Sequence, residues 1–265
     1  MAPSISNIRI YPIKSLDPVE LQEVEIGVHS LKNDRIFAMI AEDGRYVNGK
    51  RTGRVNQLHS KFDLDNKSIQ LTERGLNSWE VFELRADNLE LQSYLQDFFD
   101  MKLRLEHNEQ GELLDIPRNS SVTVVSEASL LSLQKDFPTL SIEDLRLRFR
   151  TNIELTDVDA YWEEQLFNTP QSGIRFRMGE VECIGMSPRA RCNVPPRNPM
   201  TGETDKSFVK TLIKSRAENL PEESTLGQFG NFYHLTVDTY LPPTETGKIL
   251  KTGDKVEILE TVQFQ

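Results

Sequence analysis

The chain has 265 residues, with 31 Lys and Arg against 41 Asp and Glu, a net charge of −10. That excess of acid argues against nucleic-acid and anionic-membrane partners, both of which need phosphate-neutralising cations. Hydrophobic residues make up 37%, enough for a core, but the apolar runs are only a few residues long, too short to span a bilayer. The Met1 end shows no basic stretch followed by an apolar one, so no secretory signal is expected, and two cysteines are too few for a disulfide scaffold. The expectation is a cytoplasmic protein kept reduced, of one large domain or two small ones.

The first half reads as strands broken by turns. Residues 4–11 set Ile5, Ile8 and Ile10 among polar neighbours before Pro12, and 19–26 follow as a second alternating run. Residues 35–42 are more continuously apolar, as suits a strand buried on both faces, and Asp43-Gly44 supplies a hairpin turn. Residues 55–64, 68–71 and 80–84 extend an antiparallel set. At 89–100 the period changes: Leu91, Leu95, Phe98 and Phe99 recur at helical spacing. Residues 101–106 return to strand. The polar stretch 109–121 reads as an exposed connection between two units.

In the second half, 122–125 is a short strand and Ser126 caps a helix over 127–135. Residues 151–155, 174–178 and 181–186 read as strands, the last two joined at Gly179. A helix is expected over 204–218 through Phe208, Leu212 and Ile213, and strands at 229–240 and 255–259 close the chain around a Thr252-Gly253-Asp254 turn. The expected fold is α+β and β-rich, with two β-barrel-like domains and a few flanking helices, divided at 1–110 and 111–265.

Motifs narrow the chemistry. The histidines stand at 29, 59, 107 and 234, in no ligand spacing. His-x-x-x-His, Cys-x-x-Cys, Gly-x-Gly-x-x-Gly and Gly-x-Ser-x-Gly are all missing, so zinc, local iron–sulfur, Rossmann and α/β-hydrolase sites lack support. Chemistry must rest on a lone thiol or a bound cofactor. The proline-rich stretch 187–203 reads as a rigid loop after a strand, with Cys192 flanked by Arg189, Arg191 and Arg197. In an acidic chain those arginines form a local anion site, and they favour the thiolate, the species that attacks electrophiles or binds soft metals. The alternative is a surface loop whose cysteine is merely small. Cys183 alternates with Val181 and Gly185 in a strand, the place of a small hydrophobe, and a reducing compartment argues against a Cys183–Cys192 disulfide. Lys14-Ser15, Arg35 and the alternating Arg146, Arg148 and Arg150 before Asn152 each read alone as solvated charge. On a strand the last three arginines would share one face and could hold phosphate.

Taken together, these residues resemble the MOSC (molybdenum-cofactor sulfurase C-terminal) superfamily with its N-terminal β-barrel partner domain. Tyr11-Pro12-Ile13-Lys14-Ser15 resembles the opening motif of the partner domain, and Asp34-Arg35-Ile36-Phe37 with Asp43-Gly44 its strand and hairpin. The segment from Val122 through Ser126-Glu127-Ala128-Ser129-Leu130, Phe149-Arg150-Thr151-Asn152-Ile153, and Arg191-Cys192 followed by Asn198-Pro199-Met200-Thr201-Gly202 are similar to motifs of the MOSC half. Phe229-Gly230-Asn231 and Thr252-Gly253-Asp254 fit its closing motifs. The resemblance is nearest to the branch of the amidoxime-reducing component and its bacterial relatives. It implies a molybdenum cofactor, with Cys192 as metal ligand and catalytic residue. Pterin and phosphate contacts are implied at Lys14, Ser15, Arg35, Arg150, Asn152 and Arg191. It implies reduction of N-hydroxylated or N-oxide compounds with electrons from a separate donor protein of ferredoxin, flavin-reductase or cytochrome type. The alternatives are a sulfur-transfer or cofactor carrier acting through a Cys192 persulfide or thiolate, and a binding module without redox activity. Three departures stand out: Lys50 replaces a common Arg, Pro195-Pro196 replaces a frequent Thr-Thr, and residues 117–121 lack an Asp that relatives often carry near the cofactor.

Overall fold

A computed structural model describes residues 2–116 and 122–264. In chain order the first half contains β1 (Ser4–Ile10), β2 (Val19–Leu21), β3 (Glu23–Glu25), β4 (Phe37–Ala41), β5 (Leu58–Asp63), β6 (Ser68–Glu73), β7 (Glu80–Glu83), α1 (Leu89–Phe99) and β8 (Leu103–His107). The second contains β9 (Val122–Ser126), α2 (Glu127–Gln134), α3 (Ile142–Phe149), β10 (Ile153–Thr156), β11 (Phe167–Thr169), β12 (Ser172–Met178), β13 (Val181–Ala190), α4 (Phe208–Asn219), β14 (His234–Tyr240), β15 (Ile249–Lys251) and β16 (Val256–Gln263). The protein is the expected β-rich α+β fold. No described helix is long and apolar enough to cross a membrane.

Local sequence explains most elements of the first half. All five residues of β4 are buried, which its unbroken apolar run requires, and it pairs antiparallel with β8. Strands β5, β6 and β7 form a meander. The expected strand at 55–64 starts only at Leu58, because 53–57 coil into a 3-10 turn capped by the Thr52 side chain. Asn88 caps α1 through Glu90 N and Leu91 N, and α1 buries Leu91, Leu95 and Phe99 against Ile13, Phe37, Met39 and Leu71.

The second half is built on a nine-stranded sheet ordered β11-β12-β13-β14-β9-β10-β1-β2, with β16 on β12. The first strand of the chain thus lies in the sheet of the second half. It pairs antiparallel with β10, Ile8 opposite Ile153, and Ile5, Ile8 and Ile10 are each at most 1% exposed in that core. Burial on the order of 2 kcal/mol for each isoleucine ties the two halves together. It also sets the residues after β1 beside those before β10.

Three expectations change. Arg146, Arg148 and Arg150 do not alternate along a strand: residues 142–149 form α3, and Arg150 is its left-handed C-cap. The sequence Leu-Arg-Leu-Arg-Phe has period two, but the capping box of Ser141 and Asp144 starts a helix, and Leu145 and Phe149, four apart, face the core it shares with Phe208 and Leu212. The ladder of β13 runs on to Ala190 through Pro188, which fits between two register shifts on β14. Cys192 therefore sits two residues past a strand end rather than inside a long loop. Finally, 109–116 is no exposed linker, since Leu113 and Leu114 are buried. The expected loss of an Asp at 117–121 lies outside the described residues.

Candidate functional site

One cleft collects most of the residues singled out above. Its wall combines Lys14, Ser15, Arg35 and Lys50 from the first half with Arg150, Arg189, Arg191 and Cys192 from the second. Its cavity is about 170 Å³ and opens to solvent at the mouth. Cys192 is exposed, whereas Cys183 is buried in the sheet core, where burial pushes its thiol up.

The loop carrying Cys192 is tied down on both sides. The Arg148 guanidinium donates to the carbonyls of Pro195 and Arg197, both at 2.8 Å. Arg197 turns away from the cleft and donates to Gly49 O at 2.8 Å and Gly202 O at 3.2 Å, so it clamps the two halves rather than adding to the anion site. Beside it, Gly202, at φ +78°, lies so near Gly53 that a Cβ would come within 2.2 Å of the Gly53 carbonyl. Only glycine fits that crossing. On the other side Ser15, at φ 75°, accepts from Gly49 N at 3.3 Å. Tyr233, whose phenol burial pushes up to about 12, donates from Oη to the Cys192 carbonyl at 2.9 Å.

The deep end is a stack of cations on one ring. Tyr11 is fully buried, with the Arg150 guanidinium 4.0 Å and that of Arg35 4.8 Å from its ring centroid. Such contacts are attractive, and they hold two positive charges side by side. Both arginines have left-handed backbone, φ 52° and 53°. Arg35 is satisfied by Asp34, by Asn152 Oδ1 at 3.4 Å and by Arg150 O at 3.2 Å. Arg191 donates to Phe149 O. Buried nitrogens without a partner include Arg150 Nη2, Arg191 Nε and Arg148 Nε, and burial pulls the Arg150 guanidinium down to about 10, with Arg35 adding to the effect. Burial and then Arg189 pull Arg191 to about 10 as well. Both stay charged at neutral pH. A buried donor without an acceptor costs free energy, so an arriving anion would find Arg150 ready.

Asn152 does not reach the wall. Its amide donates to Arg9 O at 2.9 Å and Asp34 Oδ2 at 3.2 Å, and its Oδ1 accepts from Thr123 and Arg35. It holds Arg35 and Asp34 in place from behind the wall. Arg146 is also elsewhere, paired with Glu154.

Tyr11, buried behind the wall, and Asp115, in the wall, were not anticipated from the sequence. Tyr11 looked like part of a strand, and Asp115 lay in what read as a linker. Asp115 pairs with Lys14 at 2.6 Å and sits 3.7 Å from both Lys50 and Arg189, while Arg189 also donates to Asp238 at 2.5 Å. Burial would raise the Asp115 carboxyl, but Lys14, Lys50 and Arg189 outweigh it and hold it well below the usual range. A depressed folded-state pKa stabilises the fold above the unfolded value of about 3.9 and loses that effect as pH falls through the folded one. Asp115→Asn is therefore expected to cost about 1 kcal/mol at pH 7, held to that size because solvent screens a carboxylate this exposed. The deficit should shrink as pH falls from 4 toward 2. Urea unfolding across that range checks it, and a pH-independent deficit would reject the ionic origin.

A family model described as the MOSC N-terminal beta barrel domain matches residues 2–109, and one described as the MOSC domain matches 110–257. The Homo sapiens protein named molybdenum cofactor sulfurase is 22% identical over 259 residues, covering 80% of this chain and 28% of that protein. The Caenorhabditis elegans protein of the same name is 23% identical over 276 residues, covering 96% of this chain and 36% of that protein. The chain thus spans about a third of the length of these curated relatives. Among solved structures, the YUAD protein from Bacillus subtilis aligns over 100% of this chain and 98% of its own, at TM-score 0.41 and 9% identity, below the level at which a shared fold follows.

Proposed function

This chain belongs to the MOSC family, and on that premise we propose that it binds a molybdenum cofactor and reduces N-hydroxylated or N-oxide compounds with electrons from a separate donor protein. The observation that carries the reading is the exposed Cys192 in a cleft where cations from both halves meet and Arg150 Nη2 has no acceptor. A pterin phosphate is the kind of anion that would satisfy that nitrogen, and the donor set suits it. Arg150, Arg35 and Lys14 would hold the phosphate side, with Ser15 and Arg191 beside them. Cys192 would give one soft thiolate to the metal. When bound, the cofactor would supply the two-electron chemistry that removes oxygen from an N–OH group. The protein's own share is to orient: Asn152 and Asp34 fix Arg35, and Arg148 fixes the Cys192 loop.

The test is molybdenum and pterin analysis of protein made in a host with intact cofactor synthesis, followed by anaerobic reduction of amidoximes or hydroxylamines with an artificial donor. Stoichiometric metal with turnover is the expected result. Protein free of both metal and pterin would reject the reading. A second reading, a sulfur or cofactor carrier using a Cys192 persulfide, draws support from the exposure of Cys192 and from the names of the relatives above. Metal binding without turnover, or cyanide-releasable sulfur on Cys192, would favour it.

A further inference from the structure

Phe229-Gly230-Asn231, a closing motif in the sequence, contributes no residue to the cleft wall. Its geometry gives it another task. Gly230 adopts φ 99° and ψ −107°, backbone that a residue with a Cβ rarely reaches. Just beyond it, Asn231 Oδ1 accepts from Tyr233 N at 2.7 Å, a side-chain-closed turn. That turn sends Tyr233 toward the end of β13. There its carbonyl accepts from Arg191 N at 3.0 Å and its Oη donates to Cys192 O at 2.9 Å. The β13 ladder stops at Ala190, so residues 191 and 192 are held by Tyr233 where strand pairing has ended.

We infer that Asn231 and Tyr233 form a positioning device that fixes the Cys192 backbone and thereby aims its thiol into the cleft. The inference rests on Cys192 being the working thiol. Tyr233→Phe keeps the ring packed against the Leu130–Phe208 cluster and removes only the donor. Its expected effects are about fivefold faster iodoacetamide labelling of Cys192, read on its peptide by mass spectrometry, and about fivefold poorer molybdenum retention on dialysis, the size of one neutral hydrogen bond. The melting temperature should stay within about 2 °C of the parent. Asn231→Ala should shift labelling the same way. Labelling and retention unchanged in Tyr233→Phe would overturn the inference, and so would a change matched by a large fall in melting temperature, which marks a merely structural role. The labelling arm needs no cofactor. If Cys192→Ser retained molybdenum as the parent does, the proposed function would fail, while the labelling result would still judge the positioning.

Discussion

Cys192→Ser is expected to abolish molybdenum retention and turnover while leaving the fold intact. Cys192 is exposed, and exposed substitutions of similar size usually move stability by no more than about 0.5 kcal/mol. Its backbone would keep the Tyr233 bond, so the loop should hold its shape. What changes is the donor. A serine hydroxyl is harder than a thiolate and stays protonated at neutral pH, so it is a poor partner for a soft metal. Losing residues that merely orient a metal ligand costs about 10- to 100-fold, and losing the ligand itself should cost at least about 100-fold in both retention and N-hydroxyl reduction. Cys183→Ala is the control: that thiol lies in the sheet core, outside the cleft wall, and activity should be nearly unchanged. Turnover that survives in Cys192→Ser would reject this metal-ligand assignment.

The contrast between the two cysteines was legible in the sequence because their neighbours differ in kind. Alternation with Val181 and Gly185 marks a core strand, and a thiol among arginines and prolines marks something else. Strand β4 was equally plain, since only burial on both faces suits five apolar residues in a row. Helix α3 was not, because Leu145, Leu147 and Phe149 alternate as a strand would, and only Leu145 and Phe149 share a helical face. The deciding signal, Ser141 with Asp144 three residues later, was local but outweighed by the alternation. The site was half legible. Cys192, Arg35 and Arg150 stand in recognisable motifs, but Asn152, in the same motif as Arg150, turns inward because Thr123, Asp34 and Arg9 claim its amide. Asp115 was invisible because the cations it pairs with lie far from it in sequence. Lys14, Lys50 and Arg189 arrive only on folding. The buried pair Leu113-Leu114 within a polar stretch was the one sign that this segment is anchored.

Arg150→Met should separate binding from stability, with opposite signs for the two. In the parent, Arg150 has a buried Nη2 without an acceptor, and burial lowers its pKa to about 10, so at neutral pH the empty cleft holds a charge at a cost. Methionine keeps an unbranched apolar stem, carries no charge, and can lie on the Tyr11 ring that Arg150 now covers at 4.0 Å with favourable sulfur–aromatic contact. The left-handed C-cap backbone suits neither side chain better. The cofactor-free variant should therefore melt at the parent temperature or above it. Binding should move the other way: a charge-assisted hydrogen bond to phosphate is worth about 1.5–3 kcal/mol, which converts to roughly 10- to 150-fold weaker retention of the cofactor. Arg35→Met gives the opposing case on the same ring. Arg35 holds Asp34, Asn152 and the carbonyl of Arg150, and removing it leaves the fully buried Asp34 carboxylate without its paired cation, so that variant should lose stability even when empty. Melting curves of the cofactor-free proteins, set beside molybdenum retention, read both quantities. An Arg150→Met protein that melts well below the parent, or that keeps its cofactor as tightly, would show that Arg150 is a structural cap and that the anion seat lies elsewhere in the cleft.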